Sequence, residues 1–149
     1  MNFKQKTYYY FQQQLENKIA NLRQQLNDLK ESTANETKST AGDKYETARA
    51  MLQIEQDIVR RQLQEFMEQQ SVVSSIDPQS SSMSIIMGSF VKTNKDWFFI
   101  STALGKASIE NENVTALSPQ SPLGKILMGK TVGSTVLINS ISYSIDEIL

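Results

Sequence analysis

Apolar residues spaced by three or four constrain this chain more than any other feature. They fall at Tyr8, Phe11, Leu15, Ile19, Leu22, Leu26 and Leu29, with Gln, Asn, Lys and Glu between them. That spacing puts one side chain of each turn on the same helical face. A second stripe runs through Tyr45, Ala48, Leu52, Val59, Leu63 and Phe66, interrupted where Glu55 and Gln56 occupy the seam. Between the two, STANETKSTAG, residues 32–42, holds no periodic apolar residue and reads as a connection. Two amphipathic helices joined this closely cover both stripes by folding back antiparallel. The expectation is a coiled-coil arm over residues 1–70 with its tip at about 32–46, each helix of about 28 residues extending roughly 42 Å.

The pattern changes beyond residue 70. SVVSSIDPQSSSMS, residues 71–84, combines seven serines with Pro78 and reads as a linker. Residues 85–149 hold short β-prone runs, GSFVKT, DWFFIS, STVLIN and SYSIDEIL, separated by Gly, Asn and Ser. They predict a small antiparallel sheet. One short helix interrupts it in SPQSPLGKILMGK, where Ser121 suits the N-cap, Pro122 the first helical position and Gly129 the left-handed residue that ends the turn. The fold class expected is α+β, an N-terminal antiparallel helical hairpin followed by a β domain over 85–149.

Composition removes whole classes of chemistry. The 149 residues include no Cys and no His, which excludes thiol nucleophiles, Ser-His-Asp triads, disulfides and the usual zinc sites. A metal would have to be held by oxygen, as magnesium and calcium are. No apolar run approaches the roughly 20 residues needed to cross a bilayer, and MNFKQKTYYYFQQQ lacks the continuous apolar segment of a signal peptide. A cytoplasmic protein without membrane association is expected. The net charge is -1, and residues 1–70 carry ten Lys/Arg against ten Asp/Glu, so autonomous DNA binding is not expected.

The acidic residues Asp43 and Glu46, where the tip enters the second helix, lie three apart. On a helix that spacing places both carboxylates on one face, able to share a divalent cation. The same spacing is that of a capping box, with Asp43 as N-cap and Glu46 closing it. Two carboxylates make a poor cage for magnesium, which keeps several waters and takes ligands from a partner. Glu36, also at the tip, reads as a solvated loop residue. In the sheet region, Trp97 and Phe99 alternate to one face and Phe98 to the other, consistent with core and one partly exposed ring. Lys125 and Lys130 flank the short helix and read as solvated or as contacts for an acidic partner. The run Tyr8, Tyr9, Tyr10 and Phe11 reads as packing at the base of the arm.

In two places the chain resembles the Gre-type transcript cleavage factors, in a divergent, Bacteroidetes-like form. ALSPQSPLGKILMGKTVGSTV, residues 116–136, is similar to the motif that closes that family's FKBP-like domain. Ser118, Pro119, Ser121, Pro122, Gly124, Leu127, Gly129, Lys130, Val132, Gly133 and Val136 fit it. At the tip, in GDKYETARAMLQIEQ, residues 42–56, Gly42, Asp43, Glu46, Ala48 and Gln56 agree, whereas Lys44, Thr47 and Arg49-Ala50 depart from the family pattern. The resemblance implies a protein that is not itself an enzyme. It implies a monomer whose arm enters the secondary channel of bacterial RNA polymerase and stimulates cleavage of backtracked RNA at the nascent 3′ end. Asp43 and Glu46 are then the catalytic acids, sharing a magnesium ion with polymerase, with no cofactor held stably by the free protein. Tyr45, Ser121, Pro122, Gly124, Lys125 and Lys130 are the implied partner contacts, although Tyr45 equally suits the start of the coiled-coil seam. A regulator that occupies the channel without cleavage, an FKBP-like isomerase or chaperone, and a dimerising coiled coil are the competing readings.

Overall fold

Both apolar stripes become helices, and both helices run further than the spacing reaches. The computed structural model describes residues 1–39 and 43–149, and side chains within 1–35 and 46–149. Helix α1 spans Phe3–Ser39 and α2 spans Asp43–Ser74. Their 37 and 32 residues correspond to roughly 55 and 48 Å of helix. The polar stretch expected to form the connection instead continues α1 through Ser39. Thr33 shows how: its hydroxyl donates to the Leu29 carbonyl at 2.9 Å, bonding back onto the helix that it would otherwise compete with. No helix among the described residues is long and apolar enough to cross a membrane.

The chain forms two compact units. Gln14–Gln70 make one, and Met1–Gln13 with Ser71–Leu149 make the other. In the first, Leu15, Ile19, Leu22 and Val59 are buried along the seam. Contacts between Thr33 and Gln56 and between Lys18 and Phe66 pair rising positions in α1 with falling ones in α2, so the helices are antiparallel. Gln56, expected to interrupt the seam, is buried within it. Its amide donates to Thr33 Oγ1 at 2.8 Å while its carbonyl accepts from Arg60 at 3.0 Å. A buried amide is tolerated because both of its ends are bonded.

The second unit is built on strands β1 (Phe90–Thr93), β2 (Trp97–Ile100), β3 (Gly105–Ile109), β4 (Glu112–Leu117), β5 (Thr135–Ile138) and β6 (Ile141–Ile148), with helix α3 (Pro122–Leu127). The sheet order is β3-β4-β2-β1-β6-β5. It is mixed, correcting the expectation of an antiparallel sheet: β2 and β4 pair in parallel, Trp97 opposite Val114 and Ile100 opposite Leu117. Side chains alternate identically for either strand direction, so the apolar pattern does not distinguish the two. The β3–β4 and β5–β6 hairpins turn on Glu110-Asn111 and Asn139-Ser140, all four with positive φ. This is the two-residue turn whose twist matches the strands.

Both faces of the sheet are covered. On one, Val91, Phe98, Ile100, Leu117, Val136 and Ile145 pack with Ile85 and with Leu127 of α3. On the other, Phe90 stacks on Phe99 at 4.3 Å, Phe99 meets Phe11 at 5.9 Å, and Trp97 meets Phe3 at 5.0 Å. The first turns of α1 therefore belong to this unit. They cover Trp97 and Phe99, while Phe98 is buried on the opposite face beside Ile85 and Leu127, and no ring of that cluster is left partly exposed as the alternation suggested. Of the aromatic run in α1, Tyr8 and Phe11 are buried while Tyr9 and Tyr10 are exposed. The serine-rich segment 71–84 is more than a linker. It opens as the end of α2, buries Val73 and Ile76, and accepts a hydrogen bond from Tyr8 at the Val73 carbonyl (3.1 Å).

Candidate functional site

The acidic pair lies at the start of α2, whose first residue is Asp43. Glu46 is exposed. The side chains of Asp43, Tyr45 and Glu36, and with them the capping-box and seam readings of Asp43 and Tyr45, lie outside the described residues. Among the described residues no group of three or more His, Cys, Asp or Glu could hold a metal. Two carboxylates three residues apart on a helix are donors of the kind that magnesium takes, beside the several waters that it keeps.

The second candidate region surrounds α3, and local geometry explains most of its motif. Ser121 has the extended backbone of an N-cap, φ -66° and ψ 159°, and its Oγ accepts from the Gly124 N–H at 3.1 Å. The same hydroxyl donates to the Ser118 carbonyl at 2.7 Å, locking the preceding turn. Pro122 occupies the first helical turn, where its missing N–H costs nothing. Gly124 is buried, and a Cβ there would lie 2.0 Å from the Ser118 carbonyl oxygen. Gly129, φ +79°, ends the helix, and its N–H donates to Ile85. The Lys130 carbonyl accepts from Ile85 in turn. Ser121 and Gly124 thus have structural work in the fold, while Pro122, Lys125 and Lys130 are presented to solvent. Lys125 also stands in the last turn of α3, where a cation complements the helix dipole.

Two buried ionisable groups sit where α1 joins the sheet unit. Lys4 donates to the Ser80 carbonyl at 2.6 Å and lies 5.9 Å from the centre of the Phe90 ring. Burial lowers its pKa from the ordinary 10.5, opposed by the charge of Asp77. Burial raises the Tyr8 pKa above the usual 10.0, reinforced by Tyr9 and then Asp77. The sequence pattern marks Tyr8 as an apolar-stripe and packing residue and gives Lys4 no role.

One surface escaped the sequence reading: Met51, Ile54 and Ile58 of α2 are exposed. Their signal was present as a second apolar stripe offset from the seam. No protein-family model matches the chain, and no curated protein matches it significantly.

Proposed function

We propose that the protein is a Gre-type accessory factor of bacterial RNA polymerase, which enters the secondary channel and stimulates cleavage of backtracked nascent RNA. The observation that carries this reading is the order of parts. A long antiparallel helical pair, whose second helix opens on Asp43 and exposes Glu46, precedes a mixed sheet with a Ser121-capped, Gly124-dependent turn. In the proposal the sheet unit is the FKBP-like part of such a factor. The partner-facing residues are Tyr45 at the tip and Pro122, Lys125 and Lys130 beside α3, with Ser121 and Gly124 shaping the surface that carries them.

Asp43 and Glu46 would hold a magnesium ion jointly with polymerase, which when bound supplies Lewis-acid activation of the attacking water. This chain's contribution is to deliver two carboxylates on one helical face to a centre that already has its own ligands. Polymerase remains the nuclease. The isomerase alternative needs aromatic rings lining a pocket, and the burial of Phe90, Trp97, Phe98 and Phe99 in the core weighs against it.

The test is RNA cleavage in a stalled, backtracked complex made with the source organism's own polymerase and magnesium. Shortening of the transcript that disappears with Asp43→Ala and with Glu46→Ala is the expected result. Polymerase binding without shortening would make the protein a channel-occupying regulator and leave the acid pair as a helix cap. Absence of binding would remove the polymerase reading altogether.

A further inference from the structure

We propose that the groove between α1 and α2, alongside Ile58, is a docking surface for a basic amphipathic helix of a partner protein. Met51, Ile54 and Ile58 are 59%, 59% and 48% exposed. Offsets of three and seven residues align them along one side of α2, apart from the seam that holds Gln56 and Val59. Where this stripe reaches Ile58 lies a groove of about 420 Å³, lined by Gln25, Asp28, Leu29, Glu55, Ile58 and Val59. It offers an apolar strip with acids beside it. This is the surface on which an amphipathic helix lays anchors at i, i+3 or i+4, and i+7.

Charge selects the occupant. Asp57 on the neighbouring face is matched by Arg60 at 3.3 Å. Asp28 and Glu55 form no ion pair with any described residue. The bond that Asp28 accepts, from Gln24 at 2.9 Å, comes from a neutral amide. An occupant that supplies Lys or Arg beside its apolar anchors completes these two carboxylates, whereas a second copy docked through the same face would bring like charges together. Nucleic acid is disfavoured for the same reason. The surface is independent of the tip acids, and its test does not depend on polymerase.

The full-length protein is titrated with a synthetic helical peptide carrying Leu at i, i+3, i+4 and i+7 flanked by Lys, and with the same peptide carrying Glu instead. Saturable binding of the Lys peptide alone is expected. Ile58→Gln should weaken it roughly tenfold, the factor for losing most of one buried aliphatic side chain. Glu55→Lys should weaken it several-fold and flatten its salt dependence. Both positions are exposed, and unchanged circular-dichroism melts establish that the variants fold. Three results overturn the proposal: no saturable binding, binding by both variants as tight as the parent's, or a concentration-dependent dimer in sedimentation that Ile58→Gln abolishes. The last would assign this face to a second copy.

Discussion

Replacing Gly124 with alanine separates a packing role from a partner-binding one. The added methyl would meet the Ser118 carbonyl oxygen at 2.0 Å, Ser121 Oγ at 2.8 Å and Pro119 Cα at 3.0 Å, so relief requires the Ser118 turn to move by more than an ångström. That carbonyl accepts from both the Ser121 N–H, at 3.0 Å, and its hydroxyl, at 2.7 Å. Displacing it also loosens the Ser121 cap on the Gly124 N–H. Overpacking costs about 1–3 kcal/mol and a lost N-cap about 1 kcal/mol, offset by up to about 1 kcal/mol from alanine's better helix propensity. A net loss of about 1–3 kcal/mol is a large fraction of the roughly 5–15 kcal/mol that a domain has. Urea and thermal denaturation followed by circular dichroism would read this loss. Ser121→Ala, which removes the cap without the overlap, should cost about 1 kcal/mol. A Gly124→Ala protein as stable as the parent would refute the packing argument. If that protein also failed to bind polymerase, Gly124 would be a contact.

Phe11→Ala should cost about 3–5 kcal/mol in the same denaturation assay, because the ring is 3% exposed and meets Phe99. Tyr10→Ala should cost about 0.5–1.5 kcal/mol, less than Phe11→Ala, because its ring is 38% exposed and meets Phe11 edge-on at 5.5 Å. Gln56→Leu should leave stability unchanged or raise it by about 1 kcal/mol, since Thr33 keeps its bond to Leu29 and an apolar seam replaces an amide; a loss above about 1 kcal/mol would assign the network a larger share. Lys4 is lowered in the folded state, so between that lowered value and the ordinary 10.5 the unfolded chain binds more protons and stability rises with pH. Tyr8 is raised, so its contribution is complete below the usual 10.0 and is lost as pH climbs through the folded value. Denaturant midpoints measured across alkaline pH should show the first slope vanish in Lys4→Met and the second in Tyr8→Phe. Finally, Ser140→Gly should stabilise the β5–β6 turn by about 0.5–1 kcal/mol, because Ser140 holds φ +64°, measured as a raised melting temperature.

The helical stripes and the α3 turn were legible because their signals are local. Spacing of three and four needs no partner to be seen, and Ser121, Pro122 and Gly129 act on atoms a few residues away. The sheet's parallel pair was not legible, because Val114 and Leu117 alternate in the same way whichever strand lies beside them. Trp97, Phe98, Phe99 and Ile100 form an unbroken apolar run, which is the mark of a strand buried on both faces. What covers the second face, Phe3 and Phe11, stands far away in the chain. Val73 and Ile76 were visible among the serines of 71–84, yet their weight depends on Tyr8. At the candidate site the legible part was the residue type and spacing of Asp43 and Glu46. The Met51–Ile58 stripe was legible in principle and was masked by the stronger seam beside it.

The arm is an insertion: Gln14–Gln70 interrupt a unit that begins before them and resumes after them. During synthesis Phe3 and Phe11 leave the ribosome long before Phe90 and Phe99 exist. The early aromatics therefore wait in a helix that can already form while their sheet is still being made. Contacts this distant in sequence slow folding, since the intervening loop must close before they reward it. A helical hairpin within Gln14–Gln70 shortens the flexible loop that has to close before those contacts form. Shortening α1 and α2 by matched heptads should leave the sheet unit able to form, whereas trimming one helix alone would misregister the seam and delay both.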